Sequence, residues 1–230
     1  MKKIKLRSEI IYIIAQLSLS LSVAMMVAAD FGISMIVAPA YILSVKYTIF
    51  SFGQWNYIIQ GLLFIIFCIV MKRFKITYLV SFFSAVLYGV LLDLWSKYIP
   101  LFNPDITPVD TIALWLRIVM FVVGELLTCF AVMLFFKTYI HPQVCDVFVK
   151  GVAEKFGFKQ AKVKWIYDIC CLTLSLVLTL WLIKDFVGIK WGTVIIALTN
   201  GVVIGWFLKI YDNFFETVPI FKKLASKFEI

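Results

Sequence analysis

The feature that most constrains this chain is a succession of apolar runs, each of bilayer length, with most of the charge confined to the short segments between them. Runs at about 8–29, 54–71, 77–95, 112–136, 165–184 and 191–210 are uncharged or nearly so. A helix of about 20 apolar residues crosses a hydrocarbon core, so each run reads as a transmembrane helix. Composition agrees: 63% of the residues are hydrophobic, 15% are charged and the mean hydropathy is +1.00. Soluble domains use about 45–50% apolar and about 25% charged residues. The runs leave no stretch for a separate soluble domain, and 1–230 reads as a single integral membrane domain.

The net charge of +9 would point a soluble protein toward nucleic acid. Here the lysines lie between apolar runs, where they set orientation, and no nucleic-acid partner is expected. Cys68, Cys129, Cys145, Cys170 and Cys171 form no CxxC pair and the chain has one His, so neither a zinc site nor a disulfide framework is indicated and no cofactor or metal is expected. The basic start followed by an apolar run imitates a secretory signal. That run approaches a full span, so it is expected to stay as the first helix.

Two segments fall outside the six runs: 31–50, "FGISMIVAPAYILSVKYTIF", and 139–158, which begins "YIHPQVCDVF". Each places a proline, Pro39 or Pro142, ahead of a short apolar helix pattern. Counting Lys and Arg decides whether they cross. If neither does, Lys2, Lys3, Lys5 and Arg7, the turn Lys72, Arg73 and Lys75, the segment from Lys137 to Lys164, and Lys222, Lys223 and Lys227 all share the cytoplasmic side. Lys97, Lys184 and Lys190 fall opposite. If both crossed, the positive-inside tendency would be violated. The expectation is an all-α membrane protein of six transmembrane helices plus two short Pro-initiated helices, half-membrane, re-entrant or interfacial, with both termini cytoplasmic. The second short helix carries Val144, Phe148, Val152 and Phe156 on one face and Asp146, Lys150 and Glu154 on another, as a surface helix or one dipping partway in would. His141 and Pro142 would form its start, with Pro142 in the first turn.

The order helix, Pro-initiated short element, helix, helix occurs twice, over 8–95 and 112–210. Trp55 and Tyr57 match Trp165 and Tyr167, and Gly89 matches Gly201 inside the last helix of each half. Three crossings per half make this an inverted-topology repeat, an arrangement of secondary transporters whose site lies at the repeat interface. Beyond it, 212–230 reads as a basic amphipathic tail at the cytoplasmic lipid surface, with Ile220, Phe221, Leu224 and Phe228 on one face.

The stretches "APAYILS" and "FSFGQWNYIIQGLLFI", together with "HPQVCDVFVKGVAEKFGFKQAKVKWIYDICC" and "GIKWGTVIIALTNGVVIGWF", resemble the YitT/YczE-like group of bacterial membrane proteins. The resemblance covers nearly the whole chain. It implies a multi-pass protein of the bacterial cytoplasmic (inner) membrane with no established activity. Asp146 lies four residues after Pro142 and no Asp follows Pro39 closely, which departs from the P-x-D pattern associated with the short elements.

Polar groups at membrane depth are expensive and face a bundle interior or a watery cavity, which selects the candidates. Glu125, near the middle of the fourth run, reads either as a proton or cation site or as a structural hydrogen bond between helices. Arg117 lies eight residues earlier, about 80° round the helix, and is expected to reach the outer interface instead of Glu125. Asp168 could bind a cation or a substrate amine, or simply favour a helix N-terminus. Asn200 reads as ligand or interhelical contact. Asp146 sits near the positive end of its helix, and His141 reads as a gating group or a solvated loop residue. No GxSxG, HExxH or phosphate-binding glycine loop is present, so no enzyme is expected. The expected function is a small secondary transporter or permease for an unknown solute or ion. The alternative is a non-transporting membrane component, either the substrate-binding subunit of a larger transporter or a scaffold. A homo-oligomer or a partner protein at segment 137–164 is left open.

Overall fold

Without water to satisfy peptide groups inside a bilayer, apolar runs must close their hydrogen bonds within themselves, and here they do so as helices. The computed structural model describes residues 3–72, 74, 76–185, 187–221 and 225. Its helices are α1 (Ser8–Ala29), α2 (Ala38–Lys46), α3 (Phe52–Met71), α4 (Ile76–Tyr98), α5 (Leu114–Phe136), α6 (Val144–Phe156), α7 (Gln160–Leu178, extended by a wider turn over Thr179–Ile183) and α8 (Trp191–Phe214). Six of them are long and apolar enough to cross a membrane. The protein is a multi-pass membrane protein.

Helices α1 and α5 form the centre. About half of each span is buried, 50% and 56%, against 11% for α7 and α8. Small residues allow this approach. At Gly124 of α5 a Cβ would stand 3.1 Å from the Ser22 carbonyl oxygen of α1, and one turn later Thr128 Oγ1 donates to Ser22 Oγ at 2.9 Å. Helix α4 packs on α1 and α8 on α5, while α3 packs on α4.

The two short helices cannot span. At 1.5 Å per residue the 9 residues of α2 and the 13 of α6 reach about 14 and about 20 Å, short of a core about 30 Å thick. Each begins buried and ends exposed: Ala38 and Val144 are 0% accessible, whereas Tyr47 and Phe156 face outward. Segment 31–50, long enough to cross if it were one helix, is divided by the irregular stretch before Ala38. Helix α2 packs against α3 and α7, and α6 against α3 and α7.

Three expectations need correction. Helix α6 is not a surface helix with one apolar face. Its buried residues are Val144, Cys145, Val147, Val149, Gly151 and Ala153, nearly all round, because it enters a slot between α3 and α7, and Phe156 lies past its buried part. Pro142 is not in the first turn, since it precedes the cap residue Gln143. The side chain of Gln60 on α3 takes over the capping task, accepting from the Val144 amide at 3.1 Å while its amide donates to Gln143 Oε1 at 2.9 Å. Pro39, by contrast, does lie in the first turn of α2. Finally, the tail expected over 212–230 begins inside α8 and continues as a strand. Residues 222–224 and 226–230, with Leu224, Phe228 and the three lysines of the expected amphipathic face, lie outside the described residues.

That strand, β2 (Phe215–Val218), pairs in parallel with β1 (Ile4–Arg7), Ile4 against Phe215 and Arg7 against Val218. The pairing sets the segments flanking the first and last long helices side by side. Glu9, on the first turn of α1, accepts the Tyr139 hydroxyl at 2.7 Å and the Ile220 amide at 3.0 Å, and Lys137 pairs with Asp212 at 2.6 Å.

The opposite end is sealed differently. Asp30, in the left-handed conformation that closes α1 (φ 56°), pairs with Lys190 at 2.7 Å and with Arg117 at 3.5 Å. Arg117 also donates Nε–H to the Ala29 carbonyl at 2.9 Å and lies 4.8 Å over the Phe31 ring, as a cation over an aromatic face does. Ile33 N donates to Gly188 O and Gly192 N to Phe31 O, at 3.0 and 2.8 Å.

Candidate functional site

One cavity of about 960 Å³ opens between the α1–α5 pair on one side and α6, α7 and α8 on the other. It exists because α7 packs on α2 and α6 while α8 packs on α5, so the two outer helices stand apart over most of their length. From Glu125, at the middle of α5, it reaches Tyr139, Lys150 and Gln160, at the end that carries the paired strands. The stretch from Ser34 to Val37, ahead of α2, forms part of its far wall. Most of the wall is apolar: Leu19, Val23, Phe135 and Ile196 are among the lining residues.

Glu125, His141, Asp146, Asp168 and Asn200 all line this cavity, as do Pro142 and Gly201. Pro39 and Gly89 do not. Glu125 is 7% accessible. Its Oε1 accepts from Thr199 Oγ1 of α8 at 3.1 Å, and Cys129, one turn along α5, bridges to Asn200 Oδ1 at 3.0 Å. Both expected readings of Glu125 and Asn200 therefore have material: they join α5 to α8, and they face the cavity. The Oε2 atom of Glu125 is buried with no hydrogen-bond partner among the described residues. So is the hydroxyl of Tyr88, a fully buried residue of α4 on the same cavity wall. Native proteins rarely bury such groups unpaired.

Nearer the mouth, Lys164 donates to Asp168 at 2.8 Å, one turn along α7. Asp146, in the first turn of α6, makes no hydrogen bond among the described residues. It is half-buried because it faces the cavity, yet protein surrounds it. Burial pushes its carboxyl above the usual carboxylate range, against the opposing pull of Lys164. His141 is buried at the wall, and its backbone carbonyl accepts from Ser84 Oγ at 3.1 Å. Among the described residues no group of three or more His, Cys, Asp or Glu could hold a metal ion.

Sequence reasoning missed Tyr88, Cys129, Thr199 and Lys164. Two carried a signal in their spacing, Cys129 four residues after Glu125 and Lys164 four before Asp168, which places each on its partner's helix face. Tyr88 carried none.

A family of unknown function (DUF6198) matches residues 6–209. The chain belongs to this family. The match runs from β1 through most of α8, and among the cavity-lining residues it leaves out Ala225. No curated protein and no solved structure matches the chain.

Proposed function

We propose that this member of the DUF6198 family is a small secondary transporter of the bacterial cytoplasmic membrane, with both termini cytoplasmic, whose solute site is the cavity at Glu125. The observation that carries the reading is the cavity itself. It runs from the side of the termini to the middle of the bundle, and the opposite end, where Asp30 pairs with Arg117 and Lys190, lies outside its lining. A path open to one side and closed to the other is what alternating access needs of either end state.

The packing of the helices supports an inverted repeat. Exchanging α1–α4 with α5–α8 carries the α1–α4 contact onto α5–α8, α2–α3 onto α6–α7, and α3–α6 onto α2–α7, and all six pairs are in contact. The α3–α4 contact finds no equally close counterpart in α7–α8. An inverted repeat in one of its two end states breaks its symmetry in this way. Kinship with the YitT/YczE-like group fits the same architecture.

The test requires no knowledge of the solute. A lone cysteine at Gly201, in protein whose five native cysteines are replaced, is reconstituted in liposomes and offered a membrane-impermeant thiol reagent from each side in turn. Alternating access predicts modification from both sides. Modification from the side of the termini alone would leave a static binding subunit or scaffold as the better reading.

A further inference from the structure

The charges on the cavity wall decide which kind of solute it can hold. Lys164 is occupied by Asp168, Arg117 and Lys190 by Asp30, and Lys137 by Asp212. Among the described residues this leaves Glu125 and Asp146 with no cation in ion-pair distance. Both carboxylates line the cavity, and Oε2 of Glu125 is buried with no hydrogen-bond partner among the described residues. Lys150 lines the same space one turn further along α6, toward its exposed end. The deep part of the cavity thus holds acceptors in excess, and Tyr88 adds an unpartnered hydroxyl that can accept as well as donate.

The walls exclude a bare ion as the best fit. A volume of about 960 Å³ lies in the range of organic ligand sites, about 300–1,000 Å³, and such sites join apolar walls to a few placed polar groups. An inorganic ion would leave most of the apolar lining against water. An anion at the deep end would meet the Glu125 carboxylate, with the lysines of the lining, Lys150 and Lys164, both nearer the mouth, and desolvating it there would find no compensation.

We propose that the cavity binds an organic cation, an amine-bearing solute whose ammonium group reaches Glu125 Oε2 or the Asp146 carboxylate and whose apolar body lies against Leu19, Val23 and Ile196. This assignment rests on the transport reading only in taking the cavity as the solute site. A static binding subunit could hold the same solute.

The experiment is equilibrium binding, read as thermal stabilisation of the detergent-purified full chain, with probes that share one body and differ in the head group: phenethylamine, phenethyl alcohol and hydrocinnamate. Butylamine and tryptamine vary the body. At least one amine is expected to raise the melting temperature in a saturable way, with phenethyl alcohol weaker and hydrocinnamate without effect. Glu125→Gln keeps an acceptor for Thr199 but loses the charge, and should weaken the amine about 10-fold or more. Asp146→Asn serves the same purpose should Glu125→Gln fail to fold. Stabilisation by hydrocinnamate equal to that by phenethylamine, an amine effect that survives both substitutions, or no response across the three amines would each overturn the assignment. None of those results touches the accessibility of Gly201→Cys, so failure of the cation assignment and failure of transport remain distinguishable.

Discussion

Helices α3 and α4 and helices α7 and α8, which the proposed repeat would set in corresponding places, are packed in opposite ways. On the first pair, a Cβ at Gly89 would lie 2.6 Å from the Gly53 carbonyl oxygen, and one at Gly53 would collide with the Gly89 carbonyl. Asp93 of α4 fastens this contact: Oδ1 accepts from the Gly53 amide at 2.9 Å, and Oδ2 accepts from Ser51, whose hydroxyl caps α3. On the second pair, Gly201 has nothing within 4 Å of where its Cβ would stand, and neither has Gly205. The difference teaches that the same residue type can serve close approach in one half and open space in the other. The cavity lies where the approach is missing.

The comparison can be broken by filling the glycines. Gly53→Ala should be the most damaging change, forcing α3 from α4 at a cost of about 3 kcal/mol, read as a melting temperature lower by about 10 °C in detergent. Asp93→Ala should cost about 1–2 kcal/mol, since it removes the acceptor at the start of α3. Gly201→Ala should change stability by less than about 1 kcal/mol and in the stabilising direction, because alanine favours helix and meets no neighbour. If Gly201→Ala lowered the melting temperature as far as Gly53→Ala, the two pairs would not differ as described.

The smallest effect concerns pH on the open side. The Asp146 carboxyl, faced by Lys164, Asp168 and the Cys145 thiol, titrates above its ordinary range in the folded state. The native chain therefore holds that proton more tightly than the unfolded chain does. Its contribution to stability is lost as pH rises through the folded value and regained as pH falls toward the ordinary range near about 3.9. The melting temperature of the wild type relative to Asp146→Asn should accordingly rise as pH is lowered from about 7 toward about 4. A fall over that interval would contradict the direction of the shift.

Several residues show where sequence reading reached its limit. Glu125 was legible because a carboxylate in the middle of an apolar run is costly wherever its helix turns. Arg117 was legible as a group that does not serve Glu125, but its partner Asp30 lies on another helix and no local pattern joins them. The face of α6 was misread because i, i+4 spacing assumes one buried side, and a helix inserted between α3 and α7 buries six of its first ten residues, spread round its circumference. Gly89 and Gly201 were matched by position, which says nothing of what stands opposite each.

The sequence by itself determined the six helices long and apolar enough to span and the two short elements among them. Each of these follows from hydrophobic length and charge placement, which act locally along the chain. Only the tertiary structure decided that Glu125, His141, Asp146, Asp168, Asn200 and Tyr88 border one cavity. That outcome depends on the order and rotation of helices about their axes. Both are set by close packing between segments far apart in the chain, at Ser22 with Gly124 and at Gly53 with Gly89, and not by any property of a single run.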